Sequence, residues 1–294
     1  MRWMPARATP TAVQADRPRL ELSGPKLAAA LETLVSKADE HGGVERFVEA
    51  VQLKSRIFRA ALAEADLDLR TARALCPHIA TVRRRVGPYL EPGGFDRLRQ
   101  AILRLLEGRE DTSSTDRRIA DFCASFPDDR EHRWVRDLAA EILHNVDPER
   151  YPLMTRWVWD ARTNTGVIRE IWHALDVDHI AIDVPDRYET FIVLREELSQ
   201  YLTANGVFRA VMDYVDLLTA QVYANYICEQ GGNYLRADFA TPEDPMQHTR
   251  RLLGLDGVGA DGRTRLKAVD GDAFVAEGPE LLESSDPCRS TNSH

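Results

Sequence analysis

Apolar side chains recur every three or four residues along most of this chain, and this periodicity limits the fold more than any other feature of the sequence. Such spacing places successive apolar side chains on one face of an α-helix, which can then be buried against other helices. Leu27, Leu31 and Leu34 follow the spacing near the start of the chain, and Gly42 supplies a stop signal after them. The periodicity therefore predicts an all-α protein.

The predicted helices follow one another with short interruptions that contain Pro, Gly or Asp. They lie near residues 23–42, 44–65, 69–76, 77–88, 95–107, 115–125, 131–146, 152–160, 164–175, 187–204, 207–230 and 242–253. The alternation that marks a half-buried strand is nearly absent, although an Asp-Gly pair within residues 267–277 predicts one short β-hairpin. We therefore expect a multi-helix fold, packed as an orthogonal array or a bundle, with flexible tails at both ends.

Changes in composition divide the chain into four parts. Residues 1–22 are rich in Pro, Arg and Ala without apolar periodicity, so we expect a flexible arm. The polar segment LEGREDTSSTD, residues 106–116, predicts a boundary between an N-terminal helical domain, 23–110, and a C-terminal helical domain, 115–255. We expect residues 257–294 to be mostly disordered and dispensable for folding, because an isolated hairpin is only marginally stable.

Length and cysteine content indicate the cellular setting. A chain of 294 residues can bury a large core without disulfides or metals. Its four cysteines form neither a CxxC motif nor a zinc-finger pattern, and Cys76, Cys123 and Cys228 lie in apolar helical contexts. Apolar runs long enough for a membrane span, about 18 residues, and a secretory h-region are both missing. We therefore expect a cytoplasmic protein without membrane association.

The charge is unevenly distributed along the chain. Of 38 basic and 47 acidic residues, 26 and 24 lie in residues 1–157, a net of +2, and 12 and 23 lie in residues 158–294, a net of −11. An acidic half repels a phosphate backbone and argues against nucleic-acid binding. The segment 69–104 is basic and has a short helix–turn–helix rhythm, so nucleic-acid binding through it stays as a further alternative.

Two Glu-x-x-His motifs have the spacing found in carboxylate-bridged metal sites of helical bundles. They are Glu141–His144 and Glu170–His173, each with both side chains on one helix face. Helix geometry places His144 and His173 nearly opposite the apolar stripes of their helices, whereas bundle ligands point inward. We therefore expect these four residues to lie on solvated faces and to bind no metal. Phosphate-binding glycine loops and a nucleophile elbow are also missing, so we expect no cofactor.

Polar residues close to the apolar faces of the helices at 187–204 and 207–230 form a candidate pocket. They are Arg195, Tyr214, Gln221 and Asn225. Buried polar groups require hydrogen-bond partners, so these residues either bind a ligand or form an internal network that fixes the register of the helices.

Three of the five tryptophans lie within residues 151–172. Helical spacing places Trp157 and Trp172 on apolar stripes, so we expect both to be core residues. Trp159 falls on the opposite side, close to Arg156 and Arg162. An exposed Trp flanked by Arg is typical of protein interfaces, and these three residues are therefore candidates for contact with a protein partner.

These observations favour a non-enzymatic helical protein that binds another protein, as an adaptor or an assembly factor. The first alternative is an all-helical enzyme or small-ligand binder that uses the polar pocket between 187–204 and 207–230. The second is the nucleic-acid binder described above. None of these patterns indicates an oligomeric state.

Overall fold

A computed structural model describes residues 17–63, 67–174, 180–234, 244–259, 262–267, 273–275 and 281–282. The described residues form ten α-helices: α1 (Gly24–Asp39), α2 (Val44–Ala61), α3 (Leu69–Leu75), α4 (Pro92–Leu106), α5 (Thr115–Ala124), α6 (Trp134–Val146), α7 (Val167–Glu170), α8 (Tyr188–Ala204), α9 (Val211–Tyr234) and α10 (Pro245–Leu252). Short 3-10 turns occupy Cys76–His78, Gly87–Leu90, Thr112–Ser114 and Arg130–His132. Two antiparallel strands, β1 (Arg263–Lys267) and β2 (Ala273–Val275), form a hairpin. The predicted all-α, multi-helix fold is confirmed.

Helix α9 is the centre of the packing. It contacts α1, α2, α7, α8 and α10, while α6 packs against α2, α4 and α5. A helix that is apolar around most of its circumference must be surrounded by other elements, and Leu217, Leu218 and Ala220 of α9 are completely buried. Among the described residues, no helix is both long enough and apolar enough to cross a membrane.

The hydrophobic core extends across the predicted boundary at residues 106–116. One cluster of buried side chains includes Phe58 and Leu105 from one side of the boundary and Leu138 and Leu218 from the other. Helix α4 also packs directly against α5. The segments 23–110 and 115–255 therefore share a core and do not have separate ones.

Two predicted helices are wrong. Residues 79–86, between two 3-10 turns, form turns, and residues 151–155 have no regular secondary structure before a turn at 156–158. Pro152 lies at the start of the second region and has no amide hydrogen to donate to a helix. Apolar spacing alone was therefore misleading in both regions.

Part of the predicted N-terminal arm is ordered. The backbone amide of Ser23 donates to the carbonyl of Ile171 at 2.7 Å, and the amide of His173 donates to the carbonyl of Glu21 at 2.8 Å. The side chain of Arg17 forms ion pairs on α8. The expectation of a flexible arm is therefore wrong for residues 17–22, while residues 1–16 lie outside the described residues.

The start of the predicted C-terminal tail is also part of the fold. Val258 and Leu266 are buried, and the amide of Lys267 donates to the carbonyl of Arg83 at 3.0 Å. Gly254 adopts φ 69° so close to the backbone that a Cβ there would lie 1.8 Å from the carbonyl oxygen of His78. The predicted hairpin is present but begins earlier, and its Asp-Gly turn lies outside the described residues. Residues 257–259 and 262–267 of the predicted tail thus pack on the fold, while most of residues 257–294 lie outside the described residues.

We expect Leu266→Ala to lower the free energy of unfolding by about 2–5 kcal/mol, because it removes a completely buried side chain. The neighbouring change Lys267→Ala, at an exposed side chain of the same strand, should stay within about 0.5 kcal/mol of the parent. Urea unfolding measures both. Equal stability of all three proteins would show that β1 contributes nothing to the core.

A buried ion pair joins α2, α6 and the turn after α10. Lys54 Nζ lies 2.9 Å from Glu141 Oε2 and donates to the carbonyl of Leu253 at 2.8 Å. The side-chain amide of Asn145 also donates to Glu141 Oε2, at 3.0 Å. The side chains of Lys54 and Glu141 are only 5% and 2% exposed. Charges so far from water persist only when they are paired and hydrogen-bonded.

A second buried pair lies one turn further along α6. His144 Nε2 is 3.0 Å from Asp216 Oδ2 on α9, and Nδ1 is 2.9 Å from the carbonyl oxygen of Tyr151. Burial alone lowers the pKa of His144, but Asp216, Glu141 and the carbonyl outweigh burial, so the pKa is raised above its ordinary value. Both ring nitrogens face acceptors, which fits an imidazolium.

The expectation that Glu141 and His144 lie on a solvated face is wrong. Both side chains are buried, although they do lie opposite the apolar stripe of α6. The reason is that α6 is enclosed on that side too, because α2 contacts it there through Lys54 and α9 contacts it through Asp216. A polar helix face therefore becomes interior when its partners bring matching charges.

We expect Lys54→Met to cost about 3–5 kcal/mol of stability, because it leaves the Glu141 carboxylate buried without a cation. The double variant Lys54→Met, Glu141→Gln removes both charges and should be more stable than the single variant by at least about 1 kcal/mol. A double-mutant cycle by chemical denaturation tests this. A double variant no more stable than Lys54→Met would mean that charge pairing does not hold these helices.

Candidate functional site

The predicted pocket residues Arg195 and Tyr214 have separate internal roles. Arg195 Nη1 donates to the carbonyls of Pro148 and Glu149 at 3.1 and 2.8 Å and so holds the loop after α6 against α8. The hydroxyl of Tyr214 donates to Glu45 Oε1 at 3.3 Å, which links α9 to α2.

Gln221 and Asn225 form a third contact. Gln221 is completely buried, its amide nitrogen donates to Asn225 Oδ1 at 2.8 Å, and its oxygen accepts from the hydroxyl of Thr249 at 3.0 Å. This contact connects α9 to α10. Across the described helices, the four residues therefore contact different neighbours and do not line one pocket, which removes the basis for a ligand site between α8 and α9.

The second Glu-x-x-His motif lies at the end of α7. Glu170 is half-buried, and His173 is exposed just beyond the helix. No group of three or more His, Cys, Asp or Glu side chains among the described residues is arranged to hold a metal ion.

The basic segment 69–104 does not form a helix–turn–helix unit. Its middle consists of 3-10 turns and bends, as described above. Arg83 is buried and pairs with Asp256 at 2.8 Å, whereas Arg84 and Arg85 are exposed. The arginine triplet is thus divided between an internal ion pair and the surface.

The three clustered tryptophans differ in burial. Trp157 is 7% exposed and belongs to the core, as predicted, while Trp172 is partly buried and packs against the core. The expectation that Trp159 is exposed is wrong, because it is completely buried and its indole nitrogen donates to the carbonyl of Val184 at 2.9 Å. The expected direction applies to a helix at 152–160, but the backbone there is irregular with a turn at 156–158.

Arg156 and Arg162, the other two predicted partner-binding residues, line a cleft of about 1020 Å³. Its walls come from α5, the connection between α5 and α6, the first turn of α6, and the two turns at 156–158 and 161–164, which contain Arg156 and Arg162. We call this feature the arginine cleft. Its further arginines are Arg130, Arg133 and Arg136.

Two of these arginines are held by carboxylates. The guanidinium of Arg156 bonds both oxygens of Asp137, at 2.8 and 3.3 Å, and its backbone amide bonds Oδ1 at 2.9 Å. Burial lowers the pKa of Arg156, but the bonds to Asp137 outweigh it and the pKa is raised, so the charge is secure. Arg136 Nη2 lies 3.3 Å from Asp186 Oδ2 and also donates to the backbone carbonyl of Asp186 at 2.8 Å.

The other three arginines have exposed and unpaired side chains. Arg130, Arg133 and Arg162 make no side-chain hydrogen bond or ion pair with any described residue. Among the acidic residues of the cleft, Asp129 already accepts bonds from the backbone and ring of His132. Asp160 accepts from the amide of Thr163 at 3.2 Å, and Asp128 is the remaining carboxylate without a partner in the described chain. A hydrogen bond from a neutral amide does not cancel the charge of a carboxylate, so the cleft presents the three exposed guanidinium groups together with the carboxylates of Asp128, Asp129 and Asp160.

An aromatic cluster supports the cleft. The centroid of the Tyr89 ring lies 5.2 Å from the ring centroid of Phe126 and 5.6 Å from that of Trp134. The hydroxyl oxygen of Tyr89 is 2.9 Å from His132 Nε2. Edge-to-face packing of this kind stabilises the connection between α5 and α6. Cys123 contributes to the apolar lining, and burial raises the pKa of its thiol, so it stays neutral. The cluster therefore stabilises the backbone from which the guanidinium groups of Arg130 and Arg133 extend.

The sequence contained a signal for this site that composition alone did not reveal. Arg130, Arg133 and Arg136 are spaced three apart, which aligns them along one side of a helical segment. Arg156 and Arg162 join them only through tertiary folding.

No protein-family model, no curated protein and no solved structure matches this chain. The geometry of the arginine cleft is therefore the basis for a proposed function.

We expect Trp159→Ala to lower the free energy of unfolding by about 3–5 kcal/mol, because it opens a cavity in the hydrophobic core. Trp159→Phe keeps most of the ring but leaves the Val184 carbonyl without its donor, and it should cost less than the alanine change. Thermal and urea unfolding compare the two. A fully stable Trp159→Ala protein would contradict the buried position.

Proposed function

We propose that this chain is a non-enzymatic protein-binding module, an adaptor or assembly factor, and that it uses the arginine cleft to bind an acidic segment of another protein. The observation that carries the proposal is the set of three unpaired guanidinium groups, Arg130, Arg133 and Arg162, around one cleft.

The positive charge of the three exposed guanidinium groups supports an acidic partner. Guanidinium groups form bidentate, charge-assisted hydrogen bonds with carboxylates, and arginine clusters are a recurrent means of binding acidic motifs. Arg136 and Arg156 cannot fill this role in the same way, because Asp186 and Asp137 already occupy them. The free arginines are thus the ones available for a partner.

The size and lining of the cleft support a peptide segment. A volume of about 1020 Å³ is at the upper limit for small-molecule pockets. Phe126, Val135 and Ala120 add apolar surface between the charges. A segment that alternates acidic and apolar side chains would satisfy both features, and arginine is among the residues that dominate binding energy at protein interfaces.

Selection of a random peptide library on the purified protein tests the proposal. We expect enrichment of sequences that contain several Asp or Glu residues beside apolar ones. The double variant Arg133→Glu, Arg162→Glu should bind the selected peptides at least about tenfold more weakly, which corresponds to about 1.4 kcal/mol.

Arg97→Glu, Arg104→Glu is the matched control, since it makes the same change in net charge at two exposed arginines of α4. This control should bind as the parent does. Selected peptides without acidic enrichment, or equal weakening by both double variants, would reject the cleft as the binding site.

A further inference from the structure

A second cavity, of about 370 Å³, lies between α2 and α9 and shares no lining residue with the arginine cleft. Arg56 and Arg59 line it from α2, and Asp213 and Asp216 line it from α9. Each pair is three residues apart, so each presents two like charges on one helix face. Opposite charges thus line the same cavity from two helices.

The arginines and aspartates that line this cavity do not form ion pairs with each other. Within the described chain, Arg56 forms no hydrogen bond or ion pair, and Arg59 donates only to the carbonyl of Val146, at 3.2 Å. Asp213 accepts from the amide of Gln52 at 2.8 Å and has no ion pair with any described cation. A carboxylate and a guanidinium in this cavity are therefore both available to a ligand.

Ser55 adds a hydroxyl to the wall of the cavity. The residue is 7% exposed, and its side chain has no hydrogen-bond partner among the described residues. Its oxygen is not one of the fully buried polar atoms that lack a partner, so it is reachable from the cavity. A polar group of a bound molecule can form a hydrogen bond with it there.

The two carboxylates of α9 differ in their surroundings. Asp216 is already neutralised by His144 at 3.0 Å. Burial raises the pKa of Asp213, and the nearby Asp216 carboxylate raises it further. A cationic group bound beside Asp213 would favour its ionised form and so gain a charge-assisted hydrogen bond.

The cavity also has an apolar portion. Val51 and Met212 line it, and Met212 is 43% exposed, which is unusual for a large apolar side chain. A ligand with a short aliphatic group could cover both side chains and remove this apolar surface from water.

We infer that this cavity binds an aliphatic α-amino acid as a zwitterion. The ammonium group lies against Asp213, the carboxylate against Arg56, and the side chain against Val51 and Met212. A volume of about 370 Å³ is near the lower limit of about 300 Å³ for small-molecule sites, which suits a ligand of this size.

Calorimetric titration with three related compounds tests the inference. L-leucine carries both charged groups, N-acetyl-L-leucine lacks the ammonium, and L-leucinamide lacks the carboxylate. We expect L-leucine to bind and each derivative to bind at least about tenfold more weakly, because each loses one charge-assisted contact.

Two near-isosteric variants assign the contacts. Asp213→Asn should remove the advantage of L-leucine over N-acetyl-L-leucine, and Arg56→Gln should remove its advantage over L-leucinamide. Asp121→Asn, at an exposed carboxylate of α5, is the control and should change none of the three affinities. Thermal unfolding of each variant verifies that it is folded.

Absence of L-leucine binding to the folded parent protein would overturn the inference, as would equal affinity for all three compounds. An equal loss of affinity for all three in Asp213→Asn and Arg56→Gln would overturn the assigned orientation. The arginine cleft is not involved in any of these measurements, so their failure leaves the proposed protein-binding function untouched.

Discussion

The buried ion pair between Lys54 and Glu141 is the interaction on which the arrangement of the helices depends. It joins α2 to α6, and through the carbonyl of Leu253 it also holds the turn after α10. A buried charge without its partner costs several kcal/mol, so only an arrangement that brings these elements together is stable. The pair between His144 and Asp216 adds α9 to the same group of helices by the same mechanism.

The two ends of α6 have different roles. Arg133, at its N-cap, and Arg136, in its first turn, flank the arginine cleft, whereas Glu141 and His144 further along the helix form the buried ion pairs. Asp216 also lines the cavity between α2 and α9. Both candidate sites thus lie at the margins of one group of buried charges.

The helical class and most helix positions could be predicted from the sequence, because apolar spacing is a local property that each helix carries by itself. The buried position of α9 follows from the same spacing. The failures occur at residues 79–86 and 151–158, where apolar spacing is present but no α-helix forms. Trp157 is buried without that helix, and helical geometry gives the wrong direction for Trp159.

The sequence alone therefore determined the fold class and the order of the main helices. Only the tertiary structure decided that Glu141 and His144 are interior, since their burial depends on Lys54 and Asp216, which are distant in sequence. The same holds for both candidate sites, whose walls come from separate segments. Local periodicity describes one element at a time, whereas charge pairing and cavities depend on how several elements pack together.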